Sequence, residues 1–167
     1  MSEFSRLIDL SRLPPGETVH EIAAREEERA ALARRFSLLA LGRLEARVRL
    51  QRLAGGLMRL AAELSADVVQ ECAVTLDPVA SRVEDSFSVL YGAAEEGAGE
   101  ITLDGEAELV EPLAGTTLDI GEAVAQQLSL ALDPFPRAPG AAASGVADAG
   151  AAADRPFAAL QNWKEKG

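Results

Sequence analysis

The sequence predicts an α+β fold: a curved antiparallel β-sheet whose apolar face is covered by one long helix and one shorter helix, followed by a flexible C-terminal linker. Three observations carry this expectation. Apolar and polar residues alternate with period two on both sides of Gly55-Gly56, the pattern of a hairpin with one face buried. Residues 23–41 hold no Gly or Pro and are rich in Ala, Glu, Arg and Leu, all good helix formers. Ile120, Val124, Leu128 and Leu132 recur every four positions. At 167 residues the chain suits one domain, expected over residues 1–135, with an Ala/Gly/Pro linker at 136–154 and a short docking segment at 155–167.

In chain order, residues 4–13 read as a short edge strand closed by Pro14-Pro15-Gly16, a turn signal. In the first helix, Glu26, Glu27 and Glu28 precede Arg34 and Arg35, which suits the helix dipole, and Leu32, Phe36 and Leu39 form its apolar stripe. Leu44, Ala46, Val48 and Leu50 then alternate with Arg43, Glu45, Arg47 and Arg49. After the glycines, Met58, Leu60, Ala62, Leu64, Ala66, Val68, Cys72, Val74 and Leu76 share one phase up to Asp77-Pro78, with a bend or break expected near Ser65–Asp67 because strands rarely run so long. A two-residue turn at Gly55-Gly56 would set Val48 against Glu63 and mix the faces, so a bulge at Gln51–Arg52 or a three-residue turn is required. Val83, Phe87, Val89 and Tyr91 mark a further strand, residues 93–99 an acidic loop, and Ile101 and Leu103 a short strand that turns at Asp104-Gly105 and returns through Leu109-Val110. Asp119-Ile120-Gly121-Glu122 is a cap pattern that opens the second helix. In the tail, Phe157, Leu160 and Trp163 sit at helical spacing and could dock on the domain or on a partner.

Composition removes several classes of function. One cysteine, Cys72, excludes an intramolecular disulfide and a cysteine-based zinc or iron–sulfur site within one chain. One histidine, His20, leaves a two-histidine metal motif and most histidine-based triads short of parts. No phosphate-binding glycine motif occurs, so no nucleotide cofactor is expected. No apolar run is long enough for a membrane span and the first residues do not form a secretory signal, so the expected location is cytoplasmic.

The net charge of −11 is unevenly spread. Residues 1–65 carry a net +2, residues 66–136 a net −14 with Arg82 as their one base, and residues 137–167 a net +1. Such a balance opposes nonspecific nucleic-acid binding and suits a basic partner or simply a solvated surface. Two candidate surfaces follow. Arg43, Arg47 and Arg49 project to one side of a strand at roughly 7–13 Å spacing, with Arg52 and Arg59 close by across the hairpin. They can follow a phosphate backbone or protect an edge strand against aggregation. Glu106, Glu108 and Glu111 are the candidate contacts for a basic protein; Asp104, Glu106 and Glu108 alternate on one strand face but lack the remaining ligands of a calcium site. Cys72, in the apolar phase, reads as a small buried side chain with no base beside it in sequence.

The stretch Asp67-Val68-Val69-Gln70-Glu71-Cys72-Ala73-Val74-Thr75-Leu76-Asp77-Pro78-Val79 resembles the YceD family, named for accumulation of large-subunit ribosomal RNA, as do Ile120-Gly121-Glu122 through Leu130-Ala131-Leu132-Asp133-Pro134, Arg155-Pro156-Phe157-Ala158-Ala159-Leu160 and the upstream Ala24–Ala33 helix. The resemblance spans nearly the whole chain and marks Gln70, Cys72, Leu76, Pro78, Gly121 and Glu122 as motif residues. Many members carry a second cysteine at the position of Thr75 and another pair near the linker, so the metal of those members is not carried over and no cofactor is expected. The resemblance implies a non-enzymatic factor for large-subunit ribosomal RNA accumulation, processing and ribosome assembly, with precursor large-subunit RNA or a basic ribosomal protein as partner. The alternative is a protein–protein adaptor or chaperone for a basic ribosomal protein, without direct RNA contact. No small-molecule substrate and no membrane partner are implied.

Overall fold

The alternating run on either side of Gly55-Gly56 becomes two long strands that carry the rest of the molecule. A computed structural model describes residues 2–93, 99–103 and 106–141. In chain order these form β1 (Leu7–Asp9), β2 (Glu17–Ala23), α1 (Glu26–Arg35), β3 (Ala40–Arg52), β4 (Met58–Glu71), β5 (Pro78–Ala93), β6 (Gly99–Leu103), β7 (Glu106–Leu113), β8 (Thr117–Asp119) and α2 (Ile120–Ala131). The main sheet has the order β2-β3-β4-β5-β7-β6, and β1 pairs with β8 in a small second sheet. The fold is therefore α+β with a mostly antiparallel sheet. One pair departs from the expected pattern: β5 and β7 run parallel over Leu90–Ala93 and Val110–Leu113.

The even-numbered residues of β3 and β4 point inward. Leu44, Val48, Leu50, Leu60, Ala66 and Val68 are all nearly or fully buried, together with Leu32 of α1 and Ile120, Val124, Ala125 and Leu128 of α2. Both helices thus lie on one face of the sheet, and Phe4, fully buried, brings the N-terminal segment into the same core. Asp119 caps α2 as its pattern predicts, accepting from the N–H groups of Gly121 and Glu122 at 3.1 Å each.

Several elements differ from expectation. The expected long helix ends at Arg35, so α1 has 10 residues and α2, with 12, is the longer. Ser37 adopts a left-handed φ of 56°, and the Ser37 and Leu38 N–H groups return to the Arg34 and Ala33 carbonyls, a helix stop without its usual glycine. Residues 17–23, which carried no strand signal of their own, form β2 against β3: Val19 and Ile22 are out of phase, and the strand exists because β3 offers it a partner. The β3–β4 hairpin uses the three-residue turn, with Leu53 N–H bonded to Leu57 O at 2.8 Å, and the bulge falls at Gly42 instead of Gln51–Arg52. That bulge lets Leu41 and Leu44 both turn inward. No break occurs near Ser65–Asp67, because β4 is paired on both sides along its length. The apolar phase stops at Cys72; Leu76 sits in the following turn at φ 64° and is 66% exposed.

The acidic loop at 94–98, the turn at Asp104-Gly105, the side chains of Glu106 and Glu108, the linker from 142 and the docking segment at 155–167 lie outside the described residues. Among the described residues, no helix is long and apolar enough to cross a membrane.

Candidate functional site

The odd-numbered residues of β3 and β4 form the opposite, outer face of the sheet, where the candidate arginines stand. Arg43, Arg47 and Arg49 share it, as their phase predicts. Register alignment, however, sets them among carboxylates: Glu21, Arg47 and Glu63 form one cross-strand row, and Arg43, Asp67 and Arg82 another. Arg43 pairs with Asp67 at 3.2 Å and Glu45 at 3.3 Å, and Arg49 pairs with Glu63 at 3.0 Å. Arg82 adds pairs to Glu84 at 3.3 Å and Asp67 at 3.7 Å. Arg47 is exposed and makes no ion pair among the described residues. Such exposed pairs contribute about 0–1 kcal/mol each. Their larger consequence is the potential: an approaching phosphate meets a carboxylate beside nearly every guanidinium.

Arg52 and Arg59 do not extend this row together. Arg59 lies opposite Gln51 on the outer face, whereas Arg52 lies opposite Met58 in the inner phase and donates to the Leu10 carbonyl at 2.6 Å, tying the turn after β1 to the end of β3. The two arginines are neighbours in the hairpin but belong to opposite faces. Small side chains between the charged rows leave shallow troughs, one of which, about 530 Å³, lies between Glu21, Glu45, Arg47 and Glu63. Of the acidic candidates, Glu111 is exposed on β7 opposite Tyr91, whose phenol is pushed up to about 12 by burial and then by the Glu111 charge.

The motif residues serve as ties between elements. Gln70 donates from Nε2 to the Asp133 carbonyl at 2.8 Å, joining the end of β4 to the end of α2. Cys72 is buried, and its Sγ accepts the N–H groups of Ala138 at 3.3 Å, Thr75 at 3.4 Å and Val74 at 3.5 Å. The Thr75 hydroxyl, then the Ala138, Thr75 and Val74 amides, draw the thiol down to about 6. Pro78 opens β5, a position that needs no ladder N–H. Gly121 leaves room for the N-terminal segment: a Cβ there would stand 2.5 Å from the Phe4 carbonyl oxygen. Glu122 receives Arg35 at 2.7 Å and the Ser2 hydroxyl at 2.6 Å.

Two clamps were not foreseen. The Arg6 guanidinium forks onto Glu28 at 2.8 and 2.9 Å, and Glu28 also accepts the Arg25 N–H at 2.8 Å. Arg35 joins Glu3 at 2.9 Å to Glu122. Glu28 at the third helical position was a usable capping signal; the Arg6 partner, 22 residues earlier, was not.

The Cys72 sulfur accepts the Thr75 and Ala138 N–H groups, and among the described residues no group of three or more His, Cys, Asp or Glu is placed to hold a metal ion. His20 lies opposite Val48 on the edge strand β2, far along the sheet from Cys72, so the two do not form a catalytic pair.

A family model described as large ribosomal RNA subunit accumulation protein YceD matches residues 60–164, from the third residue of β4 through the tail segment. No curated protein and no solved structure matches the chain.

Proposed function

The chain belongs to the large ribosomal RNA subunit accumulation protein YceD family, and from that premise we propose that it supports accumulation of large-subunit ribosomal RNA as a binding factor in ribosome assembly, without chemistry of its own. The contact is with protein: the acidic half of the chain holds a basic ribosomal protein while precursor large subunits form. The ion-pair pattern of the outer face carries this choice. Arg43, Arg49 and Arg82 are already matched to carboxylates, whereas residues 66–136 hold a large acidic excess. A second reading, direct RNA contact, rests on Arg47, which is exposed and free of ion pairs among the described residues.

Co-sedimentation with precursor large subunits over a range of salt tests both. Charge reversal at Glu106, Glu108 and Glu111 should weaken association, and Arg47→Glu with Arg49→Glu should leave affinity and salt slope unchanged. The opposite pair of results would assign the contact to RNA, since lost phosphate contacts flatten the salt dependence. No association with precursor particles, together with unchanged ribosomal RNA levels after deletion, would overturn the proposal.

A further inference from the structure

β5 is paired with β4 along its whole length, but on its other side only Leu90–Ala93 are paired, with β7. Among the described residues, the flank of β5 from Pro78 to Val89 is therefore an open edge in the middle of the strand order. A long bare edge invites pairing with other chains and is normally covered. The inner side of the same stretch is also poorly covered. Leu50, Leu60 and Val68 on β3 and β4 are at most 1% exposed, while Val79, Val83, Phe87 and Val89 are only half-buried. α2 lies alongside β5, with Gln127 bonded to Asp85 at 2.7 Å. Leu130 and Phe135, at its C-terminal end, are 78% and 71% exposed. Between this end and β5 runs a groove of about 440 Å³ whose walls include Val79, Val83, Ala131 and Pro136.

The chain that follows is suited to this groove. Ala73 N–H bonds to Pro136 O at 2.8 Å and Ala138 N–H to the Cys72 sulfur at 3.3 Å, so the described chain is pinned next to the groove shortly before its end at Ala141. Residues 142–154 can span up to about 45 Å if extended. Beyond them, Phe157, Leu160 and Trp163 share helical spacing, and Arg155, Lys164 and Lys166 outnumber Glu165. The groove itself carries both signs, Glu84 and Asp133 beside Arg82 and Arg137, with Arg82 paired to Glu84 at 3.3 Å. The family match runs through residue 164 and so includes most of this segment.

We propose that residues 155–163 dock against the inner side of β5 beside α2, placing Phe157, Leu160 and Trp163 over Val79, Val83 and Ala131 and covering the open edge. A short tether holds such a segment at an effective concentration on the order of mM, so even a weak contact is occupied.

Trp163 is the sole tryptophan, which makes its fluorescence a direct readout in the full chain. Its emission should be blue-shifted, and its acrylamide quenching reduced, relative to an isolated peptide of residues 155–167, with neither effect depending on protein concentration. Val79→Glu combined with Ala131→Glu, both partly exposed on the groove walls, should return the emission to that of the peptide with circular dichroism unchanged. Phe157→Ser should do the same from the other side of the contact. Emission equal to the peptide's in the unmodified chain would overturn the proposal, as would a blue shift that survives the Val79→Glu, Ala131→Glu change. A shift that vanishes on dilution would also overturn it and assign the groove to the tail of a second copy.

Discussion

The two faces of β3 and β4 are made from alternate residues of the same strands, yet they hold together by different means. The inner face packs Leu, Val, Ala and Met against α1 and α2, and a one-residue slip would expose all of it. The outer face sets Arg43, Arg47 and Arg49 in register with Asp67, Glu63 and Ala61. Burial decides the register, because fully burying one large apolar side chain is worth about 1.5–3 kcal/mol, against at most about 1 kcal/mol for an exposed ion pair. The charged face then follows as a consequence of that register. Arginines that look like a basic track in one strand are met by acids from the strands beside it.

The difference can be tested by substitutions ranked by expected size. Leu60→Ala, at a fully buried position of the inner face, should lower unfolding free energy by about 2–5 kcal/mol, read from urea denaturation. Gly121→Ala forces a Cβ against the Phe4 carbonyl and should cost about 1–3 kcal/mol, with the N-terminal segment becoming more accessible to protease. If Gly121→Ala is neutral, the N-terminal segment is not held as tightly as its hydrogen bonds indicate.

Acid should act through the clamps that join the N-terminal segment to the helices. Hydrogen bonds from Arg6 hold the Glu28 carboxyl well below its ordinary value, and those from Arg35 hold Glu122 down at about 2. Both are depressed in the folded state, so their contribution is complete above the ordinary value of 4.5 and is lost as pH falls from there, for Glu122 through about 2 and for Glu28 further down. Stability measured across that range should decline, and the combined Glu28→Gln, Glu122→Gln variant should show a shallower decline. The smallest effect is expected on the outer face. Arg47→Glu with Arg49→Glu should change unfolding free energy by no more than about 1 kcal/mol; a larger loss would mean that the charged rows help set the register after all.

Much of the fold was legible because period and burial coincide. The phase of Leu44, Ala46, Val48 and Leu50, the phase of Met58 through Val68 and the Asp119 cap all describe interactions within one element or across one short turn. The candidate surface was less legible. Arg43, Arg47 and Arg49 were correctly placed on one face, but their partners Asp67 and Glu63 come from β4 and depend on whether the turn holds two residues or three. Arg52 groups with Arg59 by nearness across the hairpin, and its inner-phase position removes it from that face.

By itself, then, the sequence determined the α+β class, the inward phases of β3 and β4, the start of α2 and the family motif, because each is written in local periodicity or in a contiguous string. Tertiary structure alone decided that Glu17–Ala23 forms a strand, that β5 and β7 run parallel and that Arg6 reaches Glu28. The physical reason is common to all three. Each trades a local preference for backbone pairing or charge neutralisation that becomes possible only when distant segments meet.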